Sequence, residues 1–346
     1  MGIEAAIQSE PAVVRIGEQR QSRSLWADAF YRLIRNRAAV VGLIVLLSAI
    51  VIALFAPVFA PQDYDEAVLS DNNAAPEWVT RIFPIMRPRS EGGFVTVSER
   101  YTLGADALGR DLLSRIIYGS RVSLGVALIG ASISAVIGLL VGLSAGYLGG
   151  NVDNLLMRLV DIMYAFPSLL LIILLMAVFR TTFQDASPDT LGAALERLDA
   201  SLGGLLFVFI GIGLTAWMGM ARLVRGQVLS VREYAYVEAA RALGARTPTI
   251  IFRHILPNIL GPLIVAETLA IPSYILSEAF LSYIGLGVRP PTPSWGSMIS
   301  DGAHVIQSYP NQAIFPALAL AIVMFSFNFL GDGLRDALDP RMRGVD

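Results

Sequence analysis

Six long stretches nearly free of charge run through these 346 residues. Roughly 30 Å of hydrocarbon, at about 1.5 Å of rise per residue, asks about 20 apolar residues of a spanning helix. Residues 38–61, 122–152 and 200–221 carry no charge, and 155–179 carries Arg158 and Asp161 only in its first two turns. Residues 258–286 hold Glu267 and Glu278, and the last stretch covers 313–330. The reading is an all-α membrane protein with six transmembrane helices, and a composition 55% hydrophobic and 16% charged agrees with it.

What is missing excludes several chemistries. There is no cysteine, hence no disulfide, thiolate nucleophile, iron–sulfur cluster or cysteine zinc site. All 26 basic residues are arginine, so the chain has no Walker-A lysine and is not itself a P-loop ATPase. His254 and His304 stand too far apart for a paired-histidine zinc motif. A net charge of −2 gives no sign of nucleic-acid binding.

The first stretch follows acidic residues, exceeds a signal-peptide core in length and ends at Ala60-Pro61, so it is read as a retained helix. Arginines set the orientation. Arg15, Arg20, Arg23, Arg32, Arg35 and Arg37 precede it, six more lie from Arg222 to Arg253, and Arg335, Arg341 and Arg343 close the chain. Short loops on the opposite side hold Arg180, Arg197 and Arg289, which predicts that both termini are cytoplasmic. The expected division is a cytoplasmic tail (1–37), a first span (38–61), an enlarged extracytoplasmic loop (62–121), a five-helix core (122–334) and a cytoplasmic tail (335–346).

Gly138, Gly142 and Gly146 recur every fourth residue and should let another helix come close. Pro167 and Pro272 are expected to kink or break the third and fifth helices. Leu25, Trp26, Ala29, Phe30, Leu33 and Ile34 share one helical face opposite Arg32 and Arg35, the pattern of an interfacial helix.

Residues 222–257 do not suit a simple bundle, because adjacent membrane helices need only a short connector. Residues 233–245 read as a helix, with Ala239, Ala240, Leu243 and Gly244 on one small-residue face and Gly244 placed as a C-terminal cap. Such a helix, flanked by arginines, has the shape to lie in another protein's groove or on the bilayer surface.

At this point the residues resemble a known pattern. Glu238-Ala239-Ala240, Gly244 and Leu256-Pro257 are similar to the EAA loop of ABC importer permeases, with His254 where the general pattern has isoleucine. GADALGRDLLSRIIYGSRVSL (104–124), MRLVDIMYAFPSLLL (157–171), GLGVRPPTPSWG (285–296) and LGDGLRDALDPR (330–341) resemble the dipeptide/oligopeptide branch, in its C-type permease subunit. Residues 64–100 are poorly covered by the resemblance.

The resemblance implies a type I ABC importer permease (MetI-like) fold with a cytoplasmic EAA coupling helix, in a bacterial or archaeal plasma membrane. It implies a non-catalytic subunit paired with a second permease, two ABC ATPases that hold ATP and magnesium, and an extracytoplasmic peptide-binding protein. Glu238, Ala239, Ala240, Leu243, Gly244, Leu256 and Pro257 would then couple to the ATPases. Arg110, Arg115, Arg289 and Trp295 are candidates for docking the binding protein, Trp295 and Tyr309 fitting an interfacial aromatic belt equally well. Glu267 and Glu278 are candidate pathway-lining carboxylates, since charges within spans face protein or water, and hydrogen bonds to a partner permease would serve Glu278 equally. Asp161 is expected to pair with Arg158. Competing readings are an importer of nickel chelate, glutathione or another small solute, an ion-coupled secondary transporter using the two glutamates, and an intramembrane hydrolase, which would lack the usual nucleophile and base pairings.

Overall fold

The computed structural model describes residues 25–184 and 190–339, so Arg15, Arg20, Arg23, Arg341 and Arg343 of the sequence argument lie outside the described residues. Helix α1 (Leu25–Arg35) leads into α2 (Arg37–Leu54) through Asn36, whose side-chain oxygen accepts from the Ala39 N–H at 3.2 Å and caps α2. The single apolar face expected of α1 is divided in the fold. Ala29 is buried and Leu33 lies near Gly333 at the far end of the chain, whereas Phe30 and Ile34 remain exposed.

After α3 (Ala56–Phe59) comes a module of irregular chain with one short helix, α4 (Glu77–Ile82). Isolated bridges pair Ala75 with Val97 and Pro88 with Val95, around a small core of Ala75, Val79, Met86 and Val95. Asp106 closes the module: its carboxylate accepts from Leu108 N at 2.9 Å, Arg110 N at 3.0 Å and Arg110 Nε at 2.7 Å. Asp111 then caps α5 (Leu112–Leu148), accepting from Ser114 N at 2.7 Å. The helix therefore takes in the last ten residues, 112–121, of the loop expected to end at 121.

Helix α5 has 37 residues, which at 1.5 Å per residue is about 55 Å, nearly twice a hydrocarbon core. Its glycine row lies against α9 (Leu206–Val231). A Cβ added at Gly138 would stand 2.5 Å from Met220 Cβ, and one at Gly146 2.8 Å from Val228 Cβ.

The third stretch is two helices. Between α6 (Gly150–Tyr164) and α7 (Ser168–Gln184) the axis turns by 83° at the segment holding Pro167. Proline cannot donate a backbone hydrogen bond and restricts the residue before it, which accounts for the break. Pro272 does no such thing: after α8 (Leu191–Ser201), α10 (Ala235–Ala242) and α11 (Thr247–Thr249), the helix α12 (Leu256–Tyr283) runs unbroken through both Pro262 and Pro272. A π turn, Ile250–Ile255, joins α11 to α12. Helices α13 (Trp295–His304) and α14 (Asn311–Leu338) complete the chain.

Helix α9 also departs from the charge-free window 200–221. It starts at Leu206 and continues to Val231, carrying Arg222 and Arg225 as helical residues. Among the described residues five helices are long and apolar enough to cross a bilayer, or six if α6 and α7 together form one broken span. No named strand occurs among the described residues.

Candidate functional site

Helix α10 stands at one end of the bundle, and its two faces have opposite fates. Val237 is fully buried, in a cluster with Val228 and Val231 of α9, Ile250 and Ile255 of the π turn, and Ile259 of α12. Glu238, Ala239 and Leu243 point outward, with Leu243 88% exposed and Ala240 half-buried. Tyr234, Tyr236 and Phe252, before and after it in the chain, are exposed as well. Leu256 packs under the same cluster, whereas Pro257, in the first turn of α12, is exposed.

The end of α10 is fixed by backbone geometry. Ala245 N donates to Ala240 O and Gly244 N to Arg241 O, both at 3.0 Å, the paired bonds of a Schellman cap. Gly244 has φ of +77° and open space around its Cα. The requirement for glycine is therefore conformational, not steric.

Charged residues brace the same end. Arg225 of α9 grips both carboxylate oxygens of Asp153 in α6. Arg232 Nη1 donates to Gly146 O at 2.8 Å. Asp161 pairs with Arg222 across the helix gap, in place of the Arg158 expected from spacing, and the Arg222 guanidinium lies 4.1 Å above the Tyr164 ring. A same-helix neighbour loses here to an arginine of the neighbouring helix α9.

Two glutamates of α12 occupy different surroundings. Half-buried Glu267 accepts from Tyr274 Oη at 3.0 Å, and its other oxygen lies 3.2 Å from Ser134 Oγ of α5, which is equally close to Ala216 O of α9. Glu278 is 0% exposed and accepts from Ser282 Oγ at 2.7 Å and Ser123 Oγ at 3.2 Å. Packed side chains of the chain itself enclose it, Ser123 of α5 and Ser282 of α12 among them.

Two of the expected docking residues are likewise drawn inward. Arg115 is 4% exposed and donates to Tyr64 O at 3.3 Å, and Trp295 is 2% exposed and donates from Nε1 to Ile116 O at 3.0 Å. Neither a docking surface nor an aromatic belt can use a buried indole. Arg289 pairs with the fully buried Asp199 at 3.3 Å, and Arg110 with Asp106. Asp153, Ser134, Tyr274 and Phe252 were not singled out by sequence. Only the i,i+7 spacing of Tyr274 from Glu267 could have pointed to one of them.

With this geometry described, comparison with known proteins decides the family. The family described as binding-protein-dependent transport system inner membrane component matches residues 138–344, and the N-terminal TM domain of oligopeptide transport permease C matches 24–76. The chain belongs to the binding-protein-dependent transport permeases. The permease is 39% identical to the oligopeptide transport system permease protein OppC of Bacillus subtilis (strain 168), over 96% of this chain and 97% of that one. It is 37% identical to the dipeptide transport system permease protein DppC of the same organism, over 94% and 88% of the two chains. It is 35% identical to the glutathione transport system permease protein GsiD of Escherichia coli O6:K15:H31 (strain 536 / UPEC), over 99% and 97%. A structure of the MetNI methionine ABC transporter, 20% identical, aligns with a TM-score of 0.50 over 66% of this permease and 98% of that chain. That likeness shows the MetI-like helical fold, in a permease that is the inner-membrane component of an ABC importer.

Proposed function

We propose that this permease forms half of the translocation pathway of an ATP-driven importer of di- and oligopeptides, and that α10 is the helix through which separate ATPase subunits move it. The observation that carries the reading is the exposure of Leu243 on a helix whose opposite side is locked into the bundle by Val237. A helix so placed transmits displacement, because the outward face is available to a partner while the inward face moves α9 and α12 with it. Nucleotide can bias the pathway only if two ATPase arrangements hold α10 in two positions.

In this reading the α10 end is cytoplasmic and the module of residues 62–111 is extracytoplasmic, in line with the arginine distribution. A second permease completes the pathway, two ATPases carry ATP and magnesium, and a peptide-binding protein delivers cargo. The peptide transport names of two relatives support the substrate class. Glu267, half-buried in the spanning part of α12, is the carboxylate placed to meet a positively charged group in transit. The glutathione transport relative, aligned over 99% of this chain, favours a second reading in which the cargo is another small solute.

The test is purification from the native membrane. The ATPase reading expects two ATPase subunits and a second permease to travel with this chain, and ATP-dependent uptake in liposomes. Uptake by this chain alone, without nucleotide, would end the reading. Identifying what the associated binding protein carries separates peptide from other cargo.

A further inference from the structure

Helix α14 presents one apolar row to its surroundings. Leu318, Ile322, Phe325 and Phe329 are all exposed and follow one another at spacings of four, three and four, a single helical face. Three residues earlier on that face is Phe315, only four positions into the helix and so about 6 Å along its axis. On a spanning helix such an exposed apolar row suits contact with acyl chains.

The row does not stop at the helix end. The Trp78 ring lies 5.8 Å and the Phe83 ring 6.1 Å from that of Phe315. Trp78 and Ile82 are one helical turn apart on α4, and Ile85 stands in the turn just after the helix ends. Ile82 and Ile85 are 59% and 56% exposed, although both belong to a module whose small core is otherwise closed. The module is seated firmly on α14, with Gln312 Nε2 donating to Asn73 Oδ1 at 2.8 Å and Asn311 Nδ2 to Leu103 O at 3.0 Å. Trp78 itself donates from Nε1 to Thr102 O at 3.0 Å, leaving its apolar ring edge outward. Exposed Arg81, Arg87 and Arg89 border the ridge, which suits the phosphate level of a membrane surface.

We infer that the ridge of Trp78, Ile82 and Ile85 lies in the headgroup and upper acyl layer of the leaflet remote from α10, so that the 62–111 module is anchored in lipid as well as on α14. The partner is the bilayer, because Trp78 and Phe83 of the module lie against Phe315, on the helical face of α14 that carries the exposed apolar row. A tryptophan at the boundary with isoleucines beneath it has the chemistry of an interfacial anchor. The inference is independent of the cargo.

Because the chain contains no cysteine, single-cysteine labelling reads one position at a time. Ile82→Cys and Ile85→Cys, nitroxide-labelled in the full chain reconstituted into phosphatidylethanolamine/phosphatidylglycerol liposomes, should collide more with oxygen than with a water-soluble nickel chelate. Leu318→Cys supplies the lipid reference, and the exposed positions Asn72→Cys and Glu91→Cys the water reference. A membrane-impermeant maleimide should modify the 82 and 85 thiols several-fold more slowly than the 72 thiol, a readout that does not depend on the nitroxide. If residues 82 and 85 instead follow residue 91 in both measurements, the ridge faces water and the inference is overturned.

Discussion

Gly142 of α5 faces Val224 of α9 so closely that a Cβ on the glycine would stand 2.5 Å from the valine Cβ. The neighbouring Ala221 carbonyl would be 2.6 Å away, and a backbone oxygen cannot rotate aside as a side chain can. Gly142→Leu should therefore cost at least the ~1–3 kcal/mol typical of overpacking, read as a lower thermal midpoint of the detergent-purified chain. Gly125 on the same helix has no atom within 4 Å of an added Cβ, and Gly125→Ala should leave that midpoint nearly unchanged. Equal effects at both positions would remove the case for close α5–α9 packing.

At α10 the two outward residues should fail in different ways. Gly244→Val forces a β-branched residue into left-handed backbone, a penalty of at least ~1–2 kcal/mol, and should loosen the helix end. Leu243→Asp leaves the backbone alone and should weaken retention of the ATPase subunits during purification. In proteoliposomes both variants should lose uptake while residual ATP hydrolysis continues, and both should still insert in the membrane. Normal uptake by both would exclude α10 as the coupling element.

Tyr101 makes the module sensitive to alkali. Its burial, with the hydrogen bond to Asp71 at 3.0 Å, pushes the phenol up from 10.0 to about 12. A raised folded value means that the folded state holds the proton more tightly than the unfolded one. The contribution of Tyr101 to stability is therefore complete below about pH 10 and disappears as pH rises toward 12. Hydrogen exchange of residues 71–111 should accelerate in that window, and Tyr101→Phe should flatten the dependence. An unchanged profile in Tyr101→Phe would assign the alkaline limb to another group.

The two glutamates of α12 should separate stability from transport. Glu278→Leu leaves the hydroxyls of Ser123 and Ser282 without their buried acceptor, at roughly 1–3 kcal/mol for each group left unsatisfied. Glu278→Gln keeps an acceptor and should be much milder, as thermal unfolding would show. Glu267→Gln, by contrast, should preserve folding and change uptake kinetics. A Glu267→Gln chain with unaltered uptake would take that residue out of the pathway.

How much of this was legible in the sequence depended on whether a residue's role is local. The glycine row announced its close helix, and Gly244 its cap, because spacing and backbone freedom are properties of the chain itself. Pro167 marked a break, yet Pro262 and Pro272 sit inside a continuous helix, since neighbouring helices can support the freed carbonyls. Windows of missing charge located hydrocarbon, not helix ends, so α9 was cut short at Ala221 although Arg222 and Arg225 are stabilised by Asp161 and Asp153. The roles of Arg115, Trp295 and Glu278 were beyond reach. Each is buried by partners more than fifty residues away, or by folding of the module, and no local pattern records that.

The π turn at Ile250–Ile255 places one surplus residue between α10 and the long helix α12. Drawing that turn into ordinary α register would expel the surplus residue and rotate everything before it by about 100° around the α12 axis. A push delivered at Leu243 thus has two mechanical outlets. It can lever α12 as a stiff rod, or it can be absorbed as a screw motion at the turn, which would spare the far half of the molecule.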